Sequence, residues 1–231
     1  MFWLFICAYY AKIANICNFV KMKGKVLYIH GMGGGGDSRI PSILKDAMPD
    51  VSVTVRTYDF DPEVAAAQIE SWVSEVKPDL VVGESLGAIQ TLRIKGLPHL
   101  LVSPSLNAPL YLGYLAWLAF VPGMTWLLDR IYKPKSGDRQ TLHFTYKVLD
   151  KYREHRRLAI ANSTTAGSKD YFYAFFGRDD HYMKSGIVSV KTWKKYFGES
   201  YEMYDGTHFM EEEHVLSALV PKIYKVLSVN K

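Results

Sequence analysis

The sequence predicts an α/β fold, a doubly wound and mostly parallel sheet, on three observations. Short β-branched or aliphatic runs alternate with longer segments of helical period from Lys25 onward. Glycines stand where strand-like runs end, at Gly31, Gly83 and Gly177. A chain of 231 residues, 48% hydrophobic and 22% charged, is long enough for one substantial core and short for two.

The elements follow in order. KVLYIH (25–30) reads as a buried strand and runs into GMGGGGDSR, after which Ile40, Ile43, Leu44 and Ala47 recur at helical spacing with Pro41 in the first turn. VSVTVRTYDF is an alternating strand ending near Thr57. From Pro62 to Val76 a helix is expected, with Asp61 as N-cap and Val64, Ala65, Ile69, Trp72, Val73 and Val76 on one face. DLVVGESLG is a strand, a sharp turn and a helix reaching about Lys95, and HLLVSPS is another buried strand. The pattern then breaks for an insertion of about 107–165. Its first half carries six aromatics (Tyr111, Tyr114, Trp117, Phe120, Trp126, Tyr132) and is expected to break at Gly113 and at Pro122-Gly123. Its second half is basic, with Lys147, Lys151, Arg153, Arg156 and Arg157. YFYAFFG (171–177) resumes the sheet, followed by a helix over 187–197, the strand SYEMYDG and a closing helix to about Val226.

Residues 1–21 are unlike the rest. They are apolar, with Lys12 near the middle of the run, and hold both cysteines, Cys7 and Cys17. Three readings stay open for them: a true start at Met22, a membrane anchor over residues 1–20, or a packed helix. The domain proper is expected over 22–231, in the cytoplasm or, under the anchor reading, at a membrane. It lacks thiols for a disulfide framework, a CxxC metal site or a thiolate nucleophile. The 28 basic and 23 acidic residues leave a net charge of +5, too small and too scattered for a nucleic-acid footprint.

Gly83-Glu84-Ser85-Leu86-Gly87 matches GxSxG at a strand-to-helix turn, where flanking glycines let strand and helix approach around a raised serine. A serine hydroxyl is a weak nucleophile and needs a base oriented by a third group, in the order Ser, acid, His for this architecture. Gly177-Arg178-Asp179-Asp180 ends a strand and offers the acid, Asp180 before its neighbour Asp179; capping of the next helix or pairing with Arg178 is the competing role. Asp205-Gly206-Thr207-His208 presents His208 as the base. The other six histidines fit the order less well: His30, His99, His143 and His155 precede the acid, His181 is beside it, and His214 lies on the last helix behind three glutamates. The loop after His30 would set the N–H of Met32 opposite that of Leu86 as an oxyanion hole. The same loop supports a rival, because Gly31, Gly33 and Gly36 satisfy GxGxxG with Asp59 on the next strand, as in a dinucleotide site. A P-loop is disfavoured, since Asp37-Ser38 stands where Lys-Ser/Thr belongs.

With HGMG, GESLG, GRDD and GTHF in this order, the chain from about Lys25 onward resembles the α/β-hydrolase superfamily, and within it small bacterial esterases of the YqiA type. The resemblance implies Ser85 as nucleophile, Asp180 as acid, His208 as base, and Met32 and Leu86 as oxyanion donors. The expected activity is that of a serine carboxylesterase-like hydrolase cleaving a carboxylic ester or thioester through an acyl-enzyme on Ser85, with no cofactor and no metal. The substrate would be a small, acyl or lipid-like ester, with the insertion as a helical lid. Peripheral membrane contact would run through the lid or the N-terminal segment. The alternatives are the dinucleotide-binding reading and a non-catalytic, hydrolase-like protein that holds a lipid or partner. The basic cluster would attract anionic lipid or an acidic substrate, or simply form a solvated helix face.

Overall fold

The computed structural model describes residues 23–165 and 171–229; the N-terminal segment with both cysteines lies outside them. Six strands form one sheet, β1 (Gly24–Ile29), β2 (Val51–Val55), β3 (Leu80–Glu84), β4 (His99–Val102), β5 (Phe172–Gly177) and β6 (Tyr201–Tyr204). Every pairing is parallel and the order is β2-β1-β3-β4-β5-β6. From β1, inside the sheet, the path steps outward once to β2 and crosses back to build the other side, with Ile29 opposite Gly83 at the point of reversal. Open sheets of this kind place ligands at the carboxyl ends of the strands beside that reversal.

The central strands are buried on both faces, as a parallel sheet requires. On one face Val26, Tyr28, Leu80, Val82, Leu100, Val102 and Phe175 pack with α1 (Arg39–Ala47) and the C-terminal helices. The latter run as α9 (Glu212–His214), a π-helical segment (Val215–Leu219) and α10 (Val220–Val229). On the other face Leu27, Ile29 and Val81 meet α2 (Pro62–Val76), while Leu101, Ala174 and Phe176 join α3 (Gly87–Thr91) and the helices of the insertion. Those helices are α4 (Ala108–Leu118), α5 (Met124–Ile131) and α6 (Tyr146–Thr164). Short α7 (His181–Ser185) and α8 (Val190–Phe197) separate β5 from β6.

Several expectations are refined. Asp61 caps α2 by accepting from Glu63 N, but Val64 faces solvent while Ala65 and Ile69 carry the buried stripe. The helix after the Ser85 turn stops at Thr91 rather than near Lys95, because the His99 ring nitrogen lies 3.1 Å from the carbonyls of Thr91 and Ile94 and caps that end. Gly113 does not break the insertion. It sits inside α4, where a Cβ would lie 2.1 Å from the Arg153 side chain, so the glycine lets α6 pack against α4. Pro122-Gly123 does make the break, with Gly123 at φ +81° before α5. The basic residues of α6 divide: Lys151 pairs with Asp61 and Glu63 and Arg156 donates to Leu106 O and Asn107, whereas Lys147, Arg153 and Arg157 are exposed, Arg157 pairing with Glu154 of the same helix and Arg153 lying over the Tyr114 ring. Lys151 and Arg156 thus tie the insertion to Asp61, Glu63 and Leu106 of the domain.

Candidate active site

Ser85 follows β3 directly and has φ +51°, one of three non-glycine residues in the left-handed region among those described. That conformation costs on the order of 1–3 kcal/mol and persists only where the surroundings impose it. Here Ser85 N donates to Val102 O at 2.9 Å, and Ser85 O accepts from Ser105 N and Ala88 N at 3.1 and 3.2 Å. The flanking glycines are required by contact: a Cβ on Gly87 would lie 2.2 Å from His30 O, and one on Gly31 would lie 3.0 Å from the Ser85 Cβ. Strand β1 therefore presses on the turn from behind and keeps the hydroxyl raised.

Asp180 stands just past β5 with a fully buried side chain. Its Oδ1 accepts from Tyr182 N at 2.8 Å, capping α7, and its Oδ2 accepts from His208 Nδ1 at 2.8 Å. Capping and contact with the histidine are thus simultaneous, one on each oxygen. Asp179 is exposed, and Arg178 pairs with Asp205 instead of with either neighbour. His208 lies in the loop after β6. Gly177 permits that loop's approach, since a Cβ there would be 2.3 Å from Thr207 O. The loop is tied by Tyr204 OH to Thr207 O, by Thr207 Oγ1 to Glu211, and by Arg39 to the carbonyls of Phe209 and Met210.

With Nδ1–H directed at the carboxylate, His208 Nε2 accepts from Ser85 Oγ at 2.8 Å. Tyr182 packs edge-on against the imidazole, ring centres 4.6 Å apart, and Phe209 covers it at 5.2 Å. One neighbour escapes a reading based on chain order: Ser105 Oγ lies 3.1 Å from Ser85 Oγ. The only sequence cue for it is a serine two residues past Ser103 at the end of the HLLVSPS run, which resembles ordinary turn chemistry.

The remaining histidines have other partners. His30 is buried against Tyr58, and burial lowers its pKa to about 4. His155 sits between Arg93 and Gln90, and burial, reinforced by the Arg93 charge, lowers it to about 3. His143 bonds Asp129, and His214 bonds Asp205 O and faces Tyr204, so it is not a bare solvated side chain. His181 lies 6.2 Å from His208, ring to ring.

The glycine loop is already occupied by the protein. Gly33 N donates to Gln140, Gly35 N to Ser38 Oγ and Gly36 N to Thr57 Oγ1. A Cβ on Gly35 or Gly36 would meet Asp138 at 1.7 or 2.1 Å. A pyrophosphate needs those amides and that space, so the loop does not suit a dinucleotide. Among the described residues, the N–H groups of Met32 and Leu86 have no protein acceptor.

Two cavities open at Ser85. One, of about 220 Å3, is walled by Leu86, Leu112, Leu115, Phe144 and Ile187 and reaches His208. The other, of about 580 Å3, is bordered by Arg39, Lys133, Lys135 and Arg139. Met32 and Phe209 stand between them and line both.

No family model matches the chain, and no curated protein matches it in sequence. Solved structures do. It is similar to a monoacylglycerol lipase from Paleococcus ferrophilus, with a TM-score of 0.60 at 14% identity over 90% of this chain and 95% of that one. A thermostable carboxyl esterase from Bacillus coagulans, in complex with glycerol, gives 0.60 at 15% identity over 90% and 92%. Est1E from Butyrivibrio proteoclasticus, with ferulic acid bound, gives 0.58 at 14% over 91% and 92%. These likenesses carry the superfamily fold and no subfamily. Together with an all-parallel sheet of order β2-β1-β3-β4-β5-β6, they identify the chain's architecture as the α/β-hydrolase fold.

Proposed function

We propose that this protein is a serine hydrolase acting on carboxylic esters or thioesters. The observation that carries the reading is the continuous chain of hydrogen bonds from buried Asp180 through His208 to Ser85, 2.8 Å at each step, beside an apolar cavity. In this reading Ser85 Oγ attacks the carbonyl carbon while its proton passes to His208 Nε2. Asp180 holds the ring in the tautomer that leaves Nε2 free to accept and stabilises the imidazolium that forms. Collapse of the tetrahedral species breaks the bond to the leaving alcohol or thiol, which takes the proton from His208. Water then repeats the sequence on the acyl-enzyme, releasing the acid and restoring Ser85. The N–H groups of Met32 and Leu86, without protein acceptors, are assigned to the oxyanion, where losing one such donor typically costs about 100- to 1,000-fold in rate. The glycine loop's engaged amides weigh against the dinucleotide reading. The likeness to lipases and carboxylesterases favours ester chemistry over other reactions of the fold.

The test is covalent. A fluorophosphonate probe is expected to form a single adduct on Ser85 and to stop turnover of p-nitrophenyl butyrate. Ser85→Ala should abolish labelling and lower kcat by about 10,000-fold or more. A folded protein that takes no label and turns over no ester sinks the proposal.

Peripheral membrane contact is assigned to α4 and α5. The support is the outward face of these helices and the turn between them, where Tyr114, Trp117, Phe120 and Trp126 are each at least 60% exposed, the residue types that settle at bilayer interfaces. Among the described residues no helix is long and apolar enough to cross a membrane.

A further inference from the structure

The two cavities at Ser85 differ in chemistry, and the difference bears on substrate class. The smaller is walled by hydrocarbon and aromatic side chains, with His208 at its mouth and no Asp, Glu, Lys or Arg in its lining. The larger carries Lys133, Lys135, Arg39 and Arg139 against one acid, Glu84. Glu84 is engaged by the Tyr28 hydroxyl at 2.7 Å. Behind the rim Asp37 pairs with Arg139, and Asp138 accepts from the Thr57 hydroxyl, which turns that carboxylate toward Thr57 without cancelling its charge. Arg39 is held in place through its bonds to the backbone of Phe209 and Met210. Lys133 and Lys135, on either side of Pro134, are exposed and have no hydrogen bond or ion pair among the described residues. Two unpaired ammonium groups and a fixed guanidinium beside the reacting serine make a site for a multiply charged anion, since each is a donor to oxyanions in a partly enclosed cleft.

Resting on the serine-hydrolase reading, we infer that the substrate is an ester or thioester of an apolar acid with a phosphate-bearing alcohol or thiol: the acyl chain enters the cavity walled by Leu112, Leu115 and Phe144, and the phosphate lies among Lys133, Lys135 and Arg39. The volumes agree with this division. About 220 Å3 accommodates a short acyl chain, whereas about 580 Å3 exceeds what a simple alcohol fills.

The experiment uses matched pairs with one hexanoyl group throughout: hexanoyl glycerol against hexanoyl glycerol 3-phosphate, and the hexanoyl thioester of pantetheine against that of 4′-phosphopantetheine. Within at least one pair the phosphorylated member should have a kcat/KM higher by about tenfold or more, and added salt should shrink that ratio. The pair that shows it identifies the source of the phosphate. Lys133→Glu/Lys135→Glu should reduce the ratio to one or below, and Lys135→Ala should reduce it partly. A ratio is unaffected by loss of folded enzyme, so a poorly folding variant does not imitate the result. Turnover of both neutral members with no preference for phosphate in either pair overturns the inference and leaves the hydrolase reading standing. A preference that survives the double charge reversal overturns the assignment to these lysines. Failure to turn over any member, together with absence of the fluorophosphonate adduct, overturns both readings.

Discussion

Asp179 and Asp180 are adjacent and chemically identical, yet only Asp180 has both oxygens placed, one on the α7 amide and one on His208. Asp180→Asn should keep the fold while removing the acceptor that selects the imidazole tautomer, lowering kcat by about 10,000-fold. Asp179→Asn, on an exposed side chain, should stay within about twofold of the parent. Equal losses in both, measured with p-nitrophenyl butyrate, would contradict the assignment. Two other histidines set an acid limit on stability. His30 and His155 have pKa values lowered to about 4 and about 3 from the ordinary 6.5, chiefly by burial. Arg93 donates to His155 Nδ1, leaving no acceptor for a second ring proton there. The unfolded chain therefore binds more protons than the folded one below about pH 6.5, and stability falls as pH drops from there toward 4. By pH 5 each histidine should lower the unfolding free energy by about 2 kcal/mol relative to pH 7.5, read from urea titrations at the two values. A midpoint unchanged between them would mean that both rings titrate normally.

Among the elements, the strand-to-helix turn at Ser85 was the most legible in sequence, because glycines at fixed offsets report a contact that only hydrogen fits. Gly87 is the sharpest case, its missing Cβ facing two backbone carbonyls that no rotamer change can move, His30 O and Ile29 O. Gly87→Ala should destabilise the protein by about 3 kcal/mol or more and lower its soluble yield, measured by thermal and urea unfolding. Gly113 was misleading for the same reason seen from the other side. A glycine within a helix resembles a break until the partner helix, with Arg153 against it, is in place. Local pattern likewise overestimated α3, whose end is decided by a ring from β4. Lys151 and Arg156 of α6 read as part of a solvated face because their partners, Asp61, Glu63 and Leu106 O, are remote in sequence.

At the scale of the whole molecule, the sheet order brings the carboxyl ends of β3, β5 and β6 to one edge, so residues 85, 180 and 208 converge although 95 and 28 positions separate them in turn. Over the same edge the insertion contributes Leu112 and Leu115 to the cavity while turning Trp117 and Trp126 outward. Full-length protein should bind lipid vesicles, and Trp117→Ser/Trp126→Ser should weaken that partition by about tenfold or more, followed by co-sedimentation. Unchanged binding by the double variant would remove α4 and α5 from the contact. The alternation of strands and helices and the glycine-flanked serine turn were legible in the sequence alone, because hydrophobic period and glycine placement are local consequences of backbone geometry. Tertiary contacts alone set Asp180 rather than Asp179 against His208, brought Ser105 against Ser85, filled the glycine loop with Asp138 and Gln140, and placed an apolar and a cationic cavity at one hydroxyl. Those outcomes depend on which distant side chains meet, and contacts across dozens of residues leave no periodic trace in the chain.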